Sequence, residues 1–464
     1  MKKIKLLFLM ICCAGITSSV TAQDLEETVS IEYRRSSLHT ILVESDAFPK
    51  KDTIIKAYFD APFPEKYNNH TVGEKSFNPK DYALTEMEKD SFGIKKGTLG
   101  KMGKGMISGT EVDLEEANKN EIPFVIAKYF KKEKIANKMV AKWFNRQSDG
   151  SFGMELIAKR GYYDATEMQA HIANNTARGT ASLADAGEEL IGSTFVVVDK
   201  MNFVKNEVSA KAIHTVALVA ASRIPSSIGQ MAAKTAADVL YNKTKDGYSV
   251  WTTSYLYQLK WNDSVAAVFY EDLWVDKSNI DPVKKEAFSQ TDLFELEFVG
   301  SEKARSIVLF TGSPTDESKK AKKSKKAKKS KKKKVQKGTE AQIVKLATIR
   351  NVNKVYAKLQ KEYDVFKTKT PLYSGDPCTA KIGMKEGLTG GEKFEVLEKG
   401  INPKTGLTEY KRKGVIKVNK KLIWDNRYVA GQEEVEGEES EEVKFTTFKG
   451  KGKYYSGMLI RQLK

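Results

Sequence analysis

Thr194-Phe-Val-Val-Val-Asp199 is a run of aromatic and β-branched residues that lacks the polar alternation of a half-exposed strand. Such a run is typical of a strand that is buried on both faces, in a sheet covered by helices. Residues 181–191 have helical spacing and end at Gly192, so a helix is expected to lead into this strand. We therefore predict an α+β multidomain protein with a helix-covered mixed sheet in the middle of the chain.

Apolar spacing predicts further elements on both sides of this strand, because alternation marks strands and helical recurrence marks helices. The predicted strands are 30–33, 38–43, 152–156, 255–261, 265–275, 294–298 and 307–310, with Asn262-Asp263 as the turn between 261 and 265. The predicted helices are 52–59, 122–144, 165–175, 181–191, 210–221, 226–241 and 341–366. We expect residues 122–144 to form one continuous amphipathic helix.

Residues 371–464 have a different character, with short strands at regular spacing that are punctuated by glycine. This pattern predicts a small C-terminal β-barrel. Gly383, Gly387 and Gly391 lie where the chain must turn between strands, and Gly406 marks a hairpin tip. We place the start of this unit at Pro371, because proline disfavours a helical conformation in the residue before it.

Two stretches resemble known families. Gly391-Glu-Lys-Phe-Glu-Val396 resembles the "G-D-x-F-x-V" strand in the C-terminal barrel of the flagellar assembly protein T family, with Glu392 in place of the usual aspartate. Leu190 to Asp199 is similar to a segment of curli-secretion-type assembly proteins, with Lys200 where that pattern has arginine. Both families are periplasmic assembly factors. The whole chain also resembles an exported Bacteroidetes-type family of unknown function, which supplies no active-site residues.

Residues 1–22 have the pattern of a cleavable signal peptide. Three lysines open the segment, residues 6–16 are apolar, and Val20-Thr-Ala22 supplies the small residues that precede cleavage. The apolar stretch is too short for a membrane span, and no small residue precedes either of its cysteines, so lipidation is not expected. We predict export with a mature N-terminus at Gln23, and a periplasmic or outer-membrane-associated location.

The formal net charge of +18 is concentrated in one short tract. Thirteen lysines and no acid lie between Lys319 and Lys337, and the signal peptide holds three more, which leaves +2 for the rest of the chain. Because nucleic-acid binders usually spread basic residues over a folded face, this distribution argues against a nucleic-acid partner. Such a tract buries nothing and is expected to be disordered and dispensable for folding.

This lysine tract has two open interpretations. It could bind an anionic envelope polymer through its phosphates or carboxylates, or it could be a solvated loop. The candidate anion-binding residues are Lys319, Lys320, Lys322, Lys323, Lys325, Lys326, Lys328 and Lys329.

Motifs for catalysis, cofactors or metals are not found in the sequence. Gly100 to Gly105 has the glycine spacing of a phosphate loop, but Met106 and Ile107 follow where lysine and a hydroxyl residue are needed. The four histidines have no metal-ligand spacing, and G-x-S-x-G is absent. Cys378 is the only cysteine after the signal peptide and has no histidine in its own unit, which favours a structural thiol over a nucleophile.

Two aromatic stretches are candidate contact sites. Trp424, Asn426 and Arg427 place an aromatic ring beside polar groups, as a partner contact would, although a core tryptophan gives the same pattern. The alternating aromatic residues of 255–261 could stack on a sugar, but alternation in a half-buried strand favours a core role.

We divide the chain into six segments: signal peptide 1–22, N-terminal mixed α/β unit 23–110, central α+β domain 111–310, lysine-rich linker 311–338, long helix 339–370 and C-terminal small β-barrel 371–464. The resemblances and the modular organisation favour an exported, non-enzymatic binding or assembly protein of the bacterial cell envelope, whose partner is an envelope protein or glycan. The alternative is a cell-envelope hydrolase acting on glycan or peptide through acidic residues that the sequence does not identify.

Overall fold

A computed structural model describes residues 36–92, 121–164, 190–245, 247–309, 339–401, 408–428 and 443–463. Several predictions of the sequence lie outside these residues: the signal peptide, the glycine spacing at 100–105, the lysine tract, Gly406, and the elements at 30–33, 165–175 and most of 181–191. The described residues form helices, a mixed sheet and a closed barrel, which confirms the predicted fold class.

The central sheet has six strands in the order β2-β1-β4-β5-β6, with β3 also pairing with β1. Strand β1 pairs in parallel with β2, β3 and β4, whereas β4, β5 and β6 are antiparallel neighbours. The strand bounds are β1 Ser37–Val43, β2 Asn68–Asn69, β3 Ser76–Phe77, β4 Thr194–Lys205, β5 Gly247–Leu259 and β6 Leu296–Leu309.

Strand β4 is buried on both faces, as its sequence predicts. Val196 and Val198 face one hydrophobic core, and Phe195 and Val197 face a second core on the opposite side. The helix bounds are α1 Lys51–Phe59, α2 Glu86–Ser91, α3 Ile122–Lys132, α4 Ile135–Trp143, α5 Glu155–Asp164, α6 Asn206–Ser222, α7 Ser227–Thr244, α8 Asp263–Val268, α9 Pro282–Gln290 and α10 Glu340–Glu362. Helices α3, α4, α5, α8 and α9 contribute to the first core, while α1 and α10 contribute to the second.

The predicted continuous helix over 122–144 is wrong, because the chain forms two helices separated at Lys134. This residue has a left-handed backbone with φ of 50°. Its ammonium group donates to the carbonyl oxygens of Gln290 and Thr291 at 2.9 and 3.1 Å and pairs with Asp292 at 2.7 Å. These contacts stabilise the break between α3 and α4 and tie it to the end of α9.

Two predicted strands are not strands in the structure. Residues 152–156 lead into α5, and residues 265–275 belong mostly to α8 and a following π-helical turn over Phe269–Leu273. The Asn262 side chain accepts a hydrogen bond from the Val265 backbone N–H at 3.0 Å, so it caps a helix where the sequence suggested a turn between strands. Phe269 is fully buried, so packing in the first core compensates for the weak helix propensity of the valines.

Helices α6 and α7 connect β4 to the antiparallel β5 and form a helical hairpin, which we define as residues 206–244. The two helices pack chiefly on each other, and α6 also contacts β5 at the root of the hairpin. Among the described residues, no helix combines the length and the apolar composition that crossing a membrane requires.

The C-terminal strands close into a six-stranded barrel in the order β10-β11-β8-β7-β12-β9. The barrel has its own hydrophobic core, built from residues between Leu372 and Ile460. Gly387 and Gly391 have positive φ values of 78° and 103°, which explains glycine at these turns. The strand bounds are β7 Thr370–Gly375, β8 Cys378–Ala380, β9 Lys393–Ile401, β10 Thr408–Val418, β11 Thr446–Lys449 and β12 Leu459–Gln462.

Candidate functional site: an exposed apolar helical hairpin

Asp199 is a buried carboxyl group on the face of β4 that packs on α1 and α10. It accepts hydrogen bonds from Tyr58 at 2.8 Å and Tyr356 at 3.4 Å, and it also bonds to Ser254 of the neighbouring strand. Burial raises the pKa of Asp199 to about 7, while hydrogen bonds from these three hydroxyl groups act in the opposite direction. Asp199 and both tyrosines are buried, so this cluster links the sheet to two helices and offers no opening for a substrate.

A second buried polar cluster surrounds Arg160 on the opposite face of the sheet. Its guanidinium group donates to the Ser37 hydroxyl at 2.7 Å, lies 3.1 Å from Nδ1 of His70 and stacks over the Trp143 ring at 4.2 Å. The Trp143 indole donates to the Thr194 hydroxyl at 2.8 Å. These contacts tie α4 and α5 to the first residues of β1 and β4.

His39 lies on the same face of β1 and is fully buried. Within the described residues, neither of its ring nitrogens has a hydrogen-bond partner. Burial, together with the charges of Lys142 and Lys75, lowers the pKa of His39 to about 3, so the ring is neutral at physiological pH. A neutral, enclosed imidazole of this kind behaves as a core residue.

A groove of about 460 Å³ lies beyond the carboxyl end of β1, beside residues 200–202 of the neighbouring strand β4. This is the position where open α/β sheets bind ligands. Its two carboxylates are held in ion pairs: Glu44 contacts Lys51 at 3.0 Å, and Glu121 contacts Lys89 at 3.3 Å. Glu44 also accepts a hydrogen bond from Ser76 at 2.8 Å, so both carboxylates of the groove are engaged by neighbouring side chains.

The residues near Trp424, which the sequence predicts as a contact site for a partner, bind other groups of the same protein. Asn426 accepts a hydrogen bond from the Lys385 backbone N–H and donates one to Glu386, both at 2.8 Å. Arg427 forms an ion pair with Asp425, and the backbone carbonyl of Trp424 accepts from the Met384 N–H at 3.0 Å. All three predicted residues are half-buried. Their side chains and backbone thus hold the loop between β10 and β11 against the rest of the barrel.

Cys378 and the aromatic strand 255–261 also take structural positions. Cys378 is buried in the barrel, and burial raises the pKa of its thiol, which disfavours the thiolate that a nucleophile needs. Tyr255, Tyr257 and Leu259 are buried in the first core, and Trp261 packs against that core. The structure therefore assigns this strand to packing, the interpretation that the sequence favoured over a sugar platform.

The helical hairpin is unusual because many of its large apolar residues face solvent, whereas its fully buried positions are held by alanine. Ala210, Ala221 and Ala237 are buried, whereas Ile228 and Met231 are 81% and 71% exposed. A soluble helix pair ordinarily buries its large apolar side chains to gain the free energy of removing them from water. The other large exposed residues of the hairpin are Val208, Ile213, Val216, Val219, Val239 and Leu240.

Helical spacing gathers these side chains into stripes. Ile228, Met231 and Val239 fall on one face of α7, where they line a shallow apolar groove with Ala232, Thr235 and Ala236. Val208, Val216 and Val219 share one face of α6 by the same spacing. Large apolar patches on a protein surface mark contact sites for proteins or membranes. Each stripe lies on the side of its helix opposite the buried alanines, and we call the two stripes together the hairpin surface.

Local sequence explains why the hairpin forms. Pro225 prevents α6 from continuing, and the Ser226 hydroxyl accepts the Gly229 backbone N–H at 3.3 Å to cap the start of α7. Between the helices, His214 bonds to Asp238 at 2.7 Å and lies against the Tyr241 ring at 4.9 Å. The interior of the hairpin is thus alanine-rich with one polar pair, and its outside carries the large apolar groups.

The sequence predicted both helices of the hairpin but gave no indication that their apolar side would be exposed. The available signal was the i, i+3, i+7, i+11 spacing of Ile228, Met231, Thr235 and Val239, which forms a stripe separate from the buried alanine. Groups of histidine, cysteine, aspartate or glutamate that could hold a metal ion are not found within the described ranges. Neither the family models nor the curated proteins yield a match for this chain.

Proposed function

We propose that this protein is an exported, non-enzymatic binding or assembly protein of the bacterial cell envelope, located in the periplasm or at the outer membrane. The exposed apolar residues of the hairpin carry this proposal, because a folded protein that keeps eight large apolar residues in water on one helical hairpin has a contact site for them. The predicted signal peptide, and the resemblance of two segments to periplasmic assembly factors, support the envelope location. An envelope protein or glycan is the partner class, and the lysine tract offers a second contact with an anionic polymer.

In-cell photocrosslinking tests the contact site. A photoreactive amino acid is placed at Val216 or Met231 on the hairpin, and at Glu286 as a matched control on the exposed side of α9. We expect both hairpin positions to give the same covalent adduct in intact cells, and the control position to give none. Identical adduct patterns at all three positions, or no adduct at the hairpin, would contradict the proposal.

A processing measurement tests the export half of the proposal. The mature chain is expected to begin at Gln23, because Ala22 is the last small residue of the cleavage signal. N-terminal sequencing of protein purified from the cell envelope should detect Gln23, and Ala22→Asp should retain the precursor. An intact Met1, or lipid on Cys12 or Cys13, would show that the export prediction is wrong.

The hydrolase alternative has one supporting observation, the groove beyond the carboxyl end of β1 with its carboxylates Glu44 and Glu121. Glu44→Gln and Glu121→Gln separate the two functions. A binding protein should retain its crosslinked adduct in both variants, whereas a hydrolase that uses these groups would lose turnover of envelope glycan or peptide.

A further inference from the structure

The two faces of the central sheet are covered differently where β4 and β5 run beyond the end of β1. On one face Met201 and Val250 are buried in the second core. Asn202, Trp251 and Thr253 alternate with them along the same strands and point to the opposite face, where they are exposed or half-buried. Trp251 is 41% exposed. This part of the sheet is therefore packed on one face and open to solvent on the other.

Strand register places six side chains of this open face in two neighbouring rows, each of which crosses β4, β5 and β6. Directly paired residues lie about 5 Å apart, and residues two positions apart on a strand share a face. The rows thus form one continuous surface that is about 10 Å wide from β4 to β6. We call this surface the sheet platform; its rows are Asn202, Trp251, Arg305 and Lys200, Thr253, Lys303.

The platform joins an aromatic ring to positive charge. The Arg305 guanidinium lies 4.9 Å from the centroid of the Trp251 ring and donates to the Ser249 hydroxyl at 3.4 Å, so the cation is held against the ring. Arg305 and Lys303 are exposed, and within the described residues neither forms an ion pair. The platform contains three basic residues and no acidic one. The two carboxylates of the adjoining groove are paired with lysines and leave this charge in place.

We propose that the sheet platform binds an acidic glycan built from uronic acids, an inference that rests on the proposed envelope function and names its glycan. The flat face of Trp251 offers a stacking surface for the C–H groups of a sugar ring. Asn202 and Thr253 supply donors and acceptors for sugar hydroxyls, and the planar fork of Arg305 matches a carboxylate. A uronic acid carries its carboxylate on the sugar ring, so one unit stacked on Trp251 places the charge beside Arg305.

The composition of the platform separates this ligand from two other classes of macromolecule. A protein interface surrounds its aromatic anchors with further apolar side chains, whereas the neighbours of Trp251 on the platform are polar or charged. A single-stranded nucleic acid stacks successive bases on several aromatic side chains, whereas the platform has one. Because the platform crosses three strands, it has room for consecutive sugars of a linear polymer.

Calorimetric titration of the full mature chain with hexagalacturonate tests the proposal. Wild-type protein should bind this oligomer, and bind its neutral methyl ester much more weakly. Trp251→Ala and Arg305→Gln should each weaken binding about tenfold. Phe59→Ala is the matched aromatic control, because Phe59 is 38% exposed at the end of α1 and has Lys75 at 5.9 Å from its ring. The exposed Lys361→Gln is the charge control, and both controls should bind like wild type.

Further arms distinguish the remaining outcomes. Circular dichroism should show unchanged melting for the platform variants, and Lys303→Glu, a charge reversal at an exposed position, should abolish binding. Equal affinity of wild type and Trp251→Ala, or equal affinity for the methyl ester, would overturn the proposal. Loss of binding on deletion of residues 319–337, with normal binding by Trp251→Ala, would assign the glycan to the lysine tract and also overturn it.

Two outcomes concern other ligands. Tighter binding of hexathymidylate than of hexagalacturonate, lost in Trp251→Ala, would assign the platform to single-stranded nucleic acid and overturn the proposal. If wild-type protein binds no hexagalacturonate while the hairpin still gives its crosslinked adduct in cells, the glycan inference is wrong and the proposed function stands.

Discussion

Asp199 shows how a single buried group makes stability depend on pH. Its pKa rises from 3.8 to about 7 on folding, because the folded environment disfavours the carboxylate. The folded protein therefore holds this proton more tightly than the unfolded chain does. Between about pH 4 and about pH 7 the folded state becomes progressively less stable relative to the unfolded state, and the loss is complete above about pH 7.

Asp199→Asn is expected to remove this pH dependence. The amide can still accept hydrogen bonds from Tyr58 or Tyr356, but it cannot ionise. The stability of Asp199→Asn relative to wild type should be greater at about pH 8 than at about pH 4.5, by about 3 kcal/mol. Urea unfolding at both pH values measures this difference. The exposed Asp90→Asn is the control; equal pH dependence in wild type and Asp199→Asn would show that Asp199 titrates normally.

Arg160 is a second residue whose replacement is expected to lower the stability of the protein strongly. Its guanidinium group fills the space between Ser37, His70 and the Trp143 ring, and burial lowers its pKa to about 10. Arg160→Ala should cost about 2–4 kcal/mol, because it leaves buried polar groups without a partner and removes the stacked contact. Lys159→Ala, an exposed neighbour on the same helix, should change stability by less than about 0.5 kcal/mol. Comparable losses in the two variants would contradict this role.

At the scale of elements, alanine is expected to have different effects on stability at two glycines of the barrel. A Cβ atom on Gly375 of β7 would overlap the Tyr454 carbonyl oxygen, whereas a Cβ on Gly400 of β9 meets no heavy atom within 4 Å. Gly375→Ala should therefore destabilise the barrel by about 1–3 kcal/mol, and Gly400→Ala should leave it unchanged or slightly more stable. Thermal unfolding of both variants measures the contrast. Equal melting temperatures would mean that β7 and the Tyr454 segment do not approach as closely as described.

The elements also show where sequence reasoning succeeds. The run before Asp199 predicted a doubly buried strand because no half-exposed strand can carry so many apolar residues in succession. Asn262 was ambiguous, since asparagine favours both turns and helix N-caps, and the neighbouring valines favoured a strand. Tertiary packing of Phe269 decided in favour of a helix, and a local pattern carries no information about such packing.

The sequence predicted the two helices of the candidate site, but it did not predict which of their side chains would be exposed. Helical spacing and Pro225 predicted the two helices. Exposure of Ile228 or Met231 depends on what the rest of the chain leaves uncovered, and this is a property of the assembled fold. The hydrogen-bond partners of Asp199 could not be predicted from the sequence either, because Tyr58 and Tyr356 lie 141 and 157 positions away along the chain.

At the scale of the molecule, helix α10 lies between the sheet and the barrel. One face carries Val344, Val355 and Leu359 into the second core of the sheet. Arg350 of the same helix donates to the Tyr428 carbonyl at 3.1 and 3.0 Å, and Ala357 lies beside Gly387. The contacts of α10 with the barrel are thus local and partly polar, whereas its contacts with the sheet are apolar and extensive.

This difference predicts that residues 371–464 fold on their own. The barrel core is built from its own residues, and its strands close on themselves, so the fragment exposes no unpaired edge. The polar contacts that the fragment loses include the Arg350 hydrogen bonds and the ion pairs of Lys66 with Glu386 at 3.7 Å and of Lys385 with Glu65 at 3.9 Å, whereas its apolar core stays complete. A domain of roughly ninety residues without disulfides has a small margin of stability, but a closed core supports it.

Expressed alone, residues 371–464 should give dispersed amide NMR signals and a cooperative melt. Val396→Asp is the matched control, because Val396 is fully buried in the barrel and a charge there should abolish both signatures. A second fragment, residues 339–464, keeps α10 and should melt at a similar temperature, since that helix would expose its sheet-facing apolar side. If only the longer fragment folds, the barrel depends on α10, and the unit begins at the helix instead of at Pro371.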